Sequence, residues 1–134
     1  MTDSYKHCPC GSQKRLSACC GPFHTGKATP RTAKQLMRSR YSAFALGGLG
    51  DYLLQTWHPE TRPTVSAARL GAADTDWVKL DIVSSQHQGD AACVEFKAYW
   101  RDVDGQLQLH HETSRFLRQA GSWLYVDPLP LSGS

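Results

Sequence analysis

The chain has 134 residues, 40% of them hydrophobic, and a net charge of +3. That suffices for one packed core and excludes a disordered chain. No apolar run approaches the roughly 18–20 residues that span a bilayer, and Met1 to His7 hold no apolar leader, so a cytoplasmic protein is expected.

In chain order, residues 1–30 form a loop-rich unit punctuated by Gly11, Gly21, Pro22, Gly26 and Pro30. Thr32 is a fair N-cap for a helix from Ala33 to Leu46, which contains no Gly or Pro and ends at Gly47-Gly48. Its apolar stripe runs Ala33, Leu36, Met37, Tyr41, Phe44, Ala45. A second helix is expected from about Leu49 to Trp57, stopped by His58-Pro59. A short third one, Val65 to Leu70, is expected with Thr64 as cap and Gly71 as stop.

From about residue 75 the period changes to two. Val78, Leu80 and Ile82 alternate with Lys79, Asp81 and Val83, and Val94, Phe96, Ala98 and Trp100 share one face. Leu107 to Leu117 and Ser122 to Val126 complete four runs. Turn compositions at Gln88-Gly89-Asp90, Asp104-Gly105 and Ala120-Gly121 make neighbouring strands antiparallel. Helices before a run of strands give an α+β fold, a curved four-stranded antiparallel sheet over the helices. The domain reading is 1–30 knuckle, 31–128 helix-plus-sheet domain, 129–134 tail.

Charge is uneven. Residues 1–50 carry +7, with eight Lys and Arg against Asp3 alone, while residues 51–134 carry −4. A basic half suits an anionic partner; alternatively its cations only solvate a small unit and one helix.

Four of the five cysteines fall within thirteen residues: Cys8-Pro9-Cys10, then Cys19-Cys20. In a reducing compartment clustered thiols read as metal ligands before disulfides. Four thiolates suit a structural Zn²⁺ with no open position, and Lys14 and Arg15 would offset its surplus negative charge. His24 is the alternative to Cys20 as fourth ligand.

Cys8-Pro9-Cys10-Gly11-Ser12-Gln13-Lys14-Arg15 followed by Cys19-Cys20-Gly21 resembles the SEC-C motif, the zinc knuckle at the C-terminus of the SecA translocation motor. That motif usually has Gly where this chain has Gln13. The runs Leu36 to Phe44, Tyr52 to Pro59, His111 to Phe116 and Gly121 to Asp127 resemble the bacterial YchJ-like family. The resemblance implies a cone-shaped, cystatin-like or nuclear-transport-factor-2-like (NTF2-like) domain after the knuckle, and assigns no activity.

Arg40 interrupts the apolar stripe of its helix. A buried charge needs a partner, and Glu112 is one; the other reading is a cone pocket in which Arg40 meets an anionic ligand. Tyr41, Tyr52, Trp57, Trp100, Phe116 and Glu112 could line that pocket, or the aromatics could be plain core. His58 is either an acid–base residue or a helix C-terminal cap. In His110-His111-Glu112, adjacent strand residues face opposite ways, so only one His can join a site. No nucleophile motif appears, and no catalytic residue is assigned.

Three functions follow. The first is a non-enzymatic zinc-binding adapter whose knuckle docks on an acidic protein or ribonucleoprotein. The second is a small-ligand binder or enzyme using the pocket near Arg40, His58 and Glu112. The third is nucleic-acid binding through Lys6, Lys14, Arg15 and Lys27.

Overall fold

The structure, a computed structural model, describes residues 7–129. A 3₁₀ turn at Leu16–Ala18 leads into four helices, α1 (Gly21–His24), α2 (Ala33–Leu46), α3 (Gly50–Gln55) and α4 (Ala67–Leu70). Four strands follow, β1 (Asp76–Gln88), β2 (Ala91–Arg101), β3 (Leu107–Gln119) and β4 (Ser122–Pro128), paired antiparallel in the order β1-β2-β3-β4.

Helix α2 forms where its caps dictate. Thr32 Oγ1 accepts from the Gln35 amide at 3.0 Å, and Gln35 Oε1 accepts from the Arg31 amide at 2.7 Å, a reciprocal N-terminal closure. Gly47 ends the helix at φ +78. Leu36, Met37 and Tyr41 on its inner face meet Val94, Phe96 and Ala98 of β2 and Phe116 of β3 in one core. Burial and β-branched or aromatic composition, rather than chain-local signals, hold these strands in the sheet.

Several expectations are corrected. Helix α3 stops at Gln55, and Trp57 instead forms a parallel bridge to Tyr125. Helix α4 is capped by Ser66, whose hydroxyl accepts from the Arg69 amide, not by Thr64. Helix α1 inside the knuckle is an element the composition hid among Gly and Pro. In β1 a register shift between Trp77 and Lys79 sends Val78 outward and turns Trp77 inward with Leu80 and Ile82; such a bulge breaks the period of two. The expected tail begins late: the Leu129 amide donates to Thr113 O at 2.8 Å, and residues 130–134 lie outside the described residues.

The buried phenols make a pH prediction. Burial pushes Tyr41 and Tyr52 up to about 12, and burial together with the Glu112 carboxylate raises Tyr125 as well. A folded pKa above the unfolded one contributes stability that is whole below about pH 10 and is lost as pH rises through the folded value. Arg40, lowered to about 10 by burial, acts with the opposite sign but is one group against three. Urea midpoints are therefore expected to fall between pH 10 and 12, with phenolate absorbance at 295 nm appearing together with unfolding. A midpoint that stays flat over this range would contradict the burial of these rings.

Candidate metal centre and cone cavity

The knuckle is a tight loop closed by its own backbone. His7 and Arg15 bridge as an antiparallel pair, and the Cys8 amide donates to Lys14 O at 2.8 Å. Gly11 (φ +86) and Gln13 (φ +68) make the turn between them. Gly21 permits the return: a Cβ there would stand 2.8 Å from Leu16 O.

This closure gathers the sulfurs of Cys8, Cys10, Cys19 and Cys20 within 4.8 Å of one another. Cys10 and Cys19 Sγ lie 3.6 Å apart, Cys19 and Cys20 Sγ 3.9 Å. Four sulfurs bound at about 2.3 Å to one tetrahedral ion stand about 3.8 Å apart, so the cage fits a thiophilic metal. Cys8, Cys10 and Cys20 are buried and Cys19 is half-buried. Ser12 Oγ donates to Cys19 Sγ at 3.1 Å, and Ser42 Oγ lies 3.3 Å from Cys8 Sγ, which gives two thiolates supporting hydroxyls.

Without a cation the thiols must share protons. Hydrogen bonds from Cys20 and Cys8 hold Cys10 well below the ordinary thiol range, and the same bond to Cys10 pushes Cys20 up. Burial raises Cys19. Sulfurs this close ionise together only around a positive ion. His24, the alternative fourth ligand, donates from Nε2 to Ser39 O at 2.8 Å and packs edge-on against Tyr52. It is absent from the sulfur cage.

Gln13 occupies a left-handed conformation that costs a side-chain-bearing residue about 1–2 kcal/mol, at the position where the SEC-C motif usually has Gly. Gln13→Gly is expected to stabilise the protein by about 0.5–1 kcal/mol net of the freer unfolded chain. A denaturation midpoint that falls would refute the strain.

The knuckle is fastened to the rest of the chain. Arg38 Nη1 donates to Cys10 O at 2.8 Å, Ser42 contacts Cys8, and Phe23 packs on Ala43, Tyr52 and Leu53. Helix α2 thus holds the cysteine loop on one side.

On its other side, α2 faces a cavity of about 400 Å³ between the helices and the sheet. Arg40, Tyr41, Trp57, Trp100 and Glu112 line it. Tyr52, His58 and Phe116 do not, and Phe116 is plain core. Tyr52 Oη is 2.6 Å from Ser39 Oγ behind α2. His58 is buried beside β4, its amide donating to Tyr125 O at 2.7 Å, its Nδ1 accepting from the Glu60 amide and its Nε2 meeting the Gln119 amide group. Nor does His58 cap a helix, since α3 ends three residues earlier.

Arg40 and Glu112 share the cavity wall without pairing. Arg40 is 4% exposed, and Nη1 donates to Leu53 O at 2.8 Å and to Thr56 Oγ1 at 2.7 Å. Its guanidinium lies between the rings of Trp57 and Tyr125, 4.9 and 4.8 Å from their centroids. Glu112 is engaged elsewhere. Oε1 accepts from His110 Nε2 at 2.9 Å; Oε2 accepts from Ser114 Oγ and from Tyr125 Oη at 3.3 Å. The expected direct ion pair is therefore not made, because three nearer donors claim the carboxylate.

His110, Trp77, Phe96 and Tyr125 also line the cavity and were not foreseen. His110 and Phe96 had a signal: they lie in phase with Glu112 and Trp100. Trp77 and Tyr125 depend on a bulge and on cross-strand register. His111 points outward and meets Glu95 Oε2 at 2.8 Å, as strand alternation requires.

A four-cysteine knuckle leading into helices on a curved antiparallel sheet defines a SEC-C motif joined to an NTF2-like domain. Residues 32–128 match the family model described as YchJ, middle NTF2-like domain. The chain belongs to the YchJ-like family. It is 49% identical to a UPF0225 protein of Bordetella pertussis over 123 residues, 90% of either chain. A UPF0225 protein of Deinococcus radiodurans is 43% identical over 92% of this chain and 88% of its own. The solution structure of a SEC-C motif containing protein from Rhodopseudomonas palustris matches with TM-score 0.84 and 33% identity, over 95% of this chain and all of that one. A crystal structure of a SEC-C motif containing protein from Psychrobacter arcticus matches with TM-score 0.82 and 33% identity, over all of this chain and 88% of that one. No helix among the described residues is long and apolar enough to cross a membrane.

Proposed function

We propose that this protein is a non-enzymatic, zinc-stapled accessory protein whose cone cavity binds a small organic ligand. The observation that carries the reading is the cavity itself: about 400 Å³, walled by aromatic side chains, with a buried arginine that no carboxylate pairs among the described residues. Ligand sites combine this size range, apolar walls and a few placed polar groups. The zinc is structural, since four sulfurs leave it no open position.

The test is a panel of neutral, acidic and basic aromatic fragments followed by ligand-observed NMR on the full chain. At least one should bind saturably, and Ala98→Phe, which places a ring in the cavity, should abolish that binding while the amide NMR spectrum shows the chain still folded. No binder in the panel, or binding unaffected by Ala98→Phe, rejects the cavity as the working site.

A second reading is favoured by the way the knuckle presents itself. Its cysteines face inward while Gln13, Lys14 and Arg15 are exposed, a basic loop suited to an acidic protein or ribonucleoprotein. Charge reversal of Lys14 and Arg15 should then remove partners captured from the native host. Retention on immobilised RNA that weakens steeply with salt would instead point to nucleic acid. Equal capture by the reversed-charge protein, with no retention on RNA, rejects this surface.

A further inference from the structure

The two charges on the cavity wall are not equivalent. Glu112 has three donors, from His110, Ser114 and Tyr125. Its negative charge is held by the protein, and little acceptor capacity is left for a ligand. Arg40 is the opposite case. Only Nη1 has acceptors, both uncharged; among the described residues no acceptor meets Nε or Nη2, and no carboxylate forms an ion pair with the guanidinium. Burial lowers its pKa to about 10, which leaves it charged at neutral pH. The indole N–H of Trp57, on the ring that flanks the guanidinium, is likewise buried without an acceptor.

A buried cation with no carboxylate bonded to it, steadied only at a distance by the charge of Glu112, is the costly element of such a site. A ligand that brings an anion removes that cost, and a planar fork of N–H groups suits a carboxylate. The rest of the wall selects the ligand's body. Trp77, Phe96 and Trp100 present ring surface to the same space, which favours a flat apolar group. A second anionic group would approach the carboxylate of Glu112, and a cation would meet Arg40 while finding Glu112 already occupied.

We propose that the cavity binds a small aromatic monocarboxylate, its carboxylate on the Arg40 guanidinium and its ring among Trp77, Phe96 and Trp100. This rests on the cavity being a ligand site, as proposed above. It adds the sign and number of the ligand's charges and names Arg40 as the residue that reads them.

The experiment holds the ring constant and changes the charge. Indole-3-acetate, indole-3-acetamide and tryptamine are titrated by calorimetry into the full metal-loaded chain, and into Arg40→Met and Ala98→Phe. Indole-3-acetate should bind at least about tenfold more tightly than the amide, as hydrogen bonds to a charged group exceed neutral ones, and tryptamine should bind weakest. Arg40→Met should abolish the preference for the acetate, and Ala98→Phe should abolish binding. If Arg40→Met does not fold, the Arg40 Nε–H resonance of the unmodified chain serves instead. It should move with indole-3-acetate and stay in place with the amide, and a resonance unmoved by the acetate overturns the proposal.

Equal affinity for all three, lost in Ala98→Phe, would overturn the charge assignment while leaving a cavity that binds ligands. Tightest binding of tryptamine would overturn it in favour of Glu112. Binding of the acetate that survives Ala98→Phe would place the ligand elsewhere and reject the cavity as well. Failure of all three to bind overturns the monocarboxylate class, and the wider fragment panel then judges the cavity by itself.

Discussion

Chelation of the metal, or Cys10→Ser, is expected to lower Tm by about 12–20 °C. A metal at a thousand times its Kd stabilises the folded state by about 4 kcal/mol, and 1 kcal/mol moves Tm by about 3–5 °C in a chain of this size. The effect should reach the whole domain, because the knuckle is held to α2 by Arg38 on Cys10 O and Ser42 on Cys8 Sγ. Cys10 is fully buried, so the serine hydroxyl also leaves a polar group among sulfurs. Metal analysis should give one zinc per chain before chelation and none in Cys10→Ser. A wild-type protein with almost no metal, or a metal-free protein melting within a few degrees of the loaded one, would overturn the staple.

Gly50→Ala should destabilise by about 3 kcal/mol or more, the upper end for overpacking. Helix propensity alone favours Ala over Gly by about 1 kcal/mol, so the sign of the effect is the test. A Cβ on Gly50 would stand 1.7 Å from Ala67 O and 2.5 Å from Ala67 C, both backbone atoms that cannot rotate away. Helices α3 and α4 would have to separate, disturbing the carbonyl of Leu53 and the hydroxyl of Thr56 that hold Arg40. Asp51→Ala, one residue along on the exposed face, should stay within about 0.5 kcal/mol of wild type. A Gly50→Ala protein as stable as the parent in a urea titration would refute this close approach.

Much of this architecture was legible in the residues, and the exceptions have physical reasons. The bounds of α2 could be read because Thr32 and the Gly47-Gly48 pair are local signals. The inward set Val94, Phe96, Ala98 could be read because β2 alternates without interruption. The outward turn of Val78 is not legible in the alternation, because a bulge is a property of two paired strands, not of one. The cysteine cage was visible as spacing, while its packing against α2 through Arg38 and Ser42 was not. In the cavity, Arg40 betrayed itself as a charge in an apolar stripe. The lack of a direct ion pair with Glu112 depends on Ser114, Tyr125 and His110, which only strand register brings to that carboxylate. Tyr52 and His58 shared the aromatic and titratable character of the site, but the fold turns them to other walls.

The meander also bears on the order in which the parts come together. The four thiols sit within thirteen residues, so their loop can close with little entropic cost while the rest of the chain is still emerging from the ribosome. Each strand pairs with its sequence neighbour, which lets the hairpins form one after another. Among the described residues, the hydrogen bond of longest reach runs from Trp123 Nε1 to Arg31 O, 92 residues apart, and Tyr125 lies on the same last strand. The cavity's final wall therefore arrives with the last strand made, and a half-synthesised chain can complete its cysteine loop before the cavity exists.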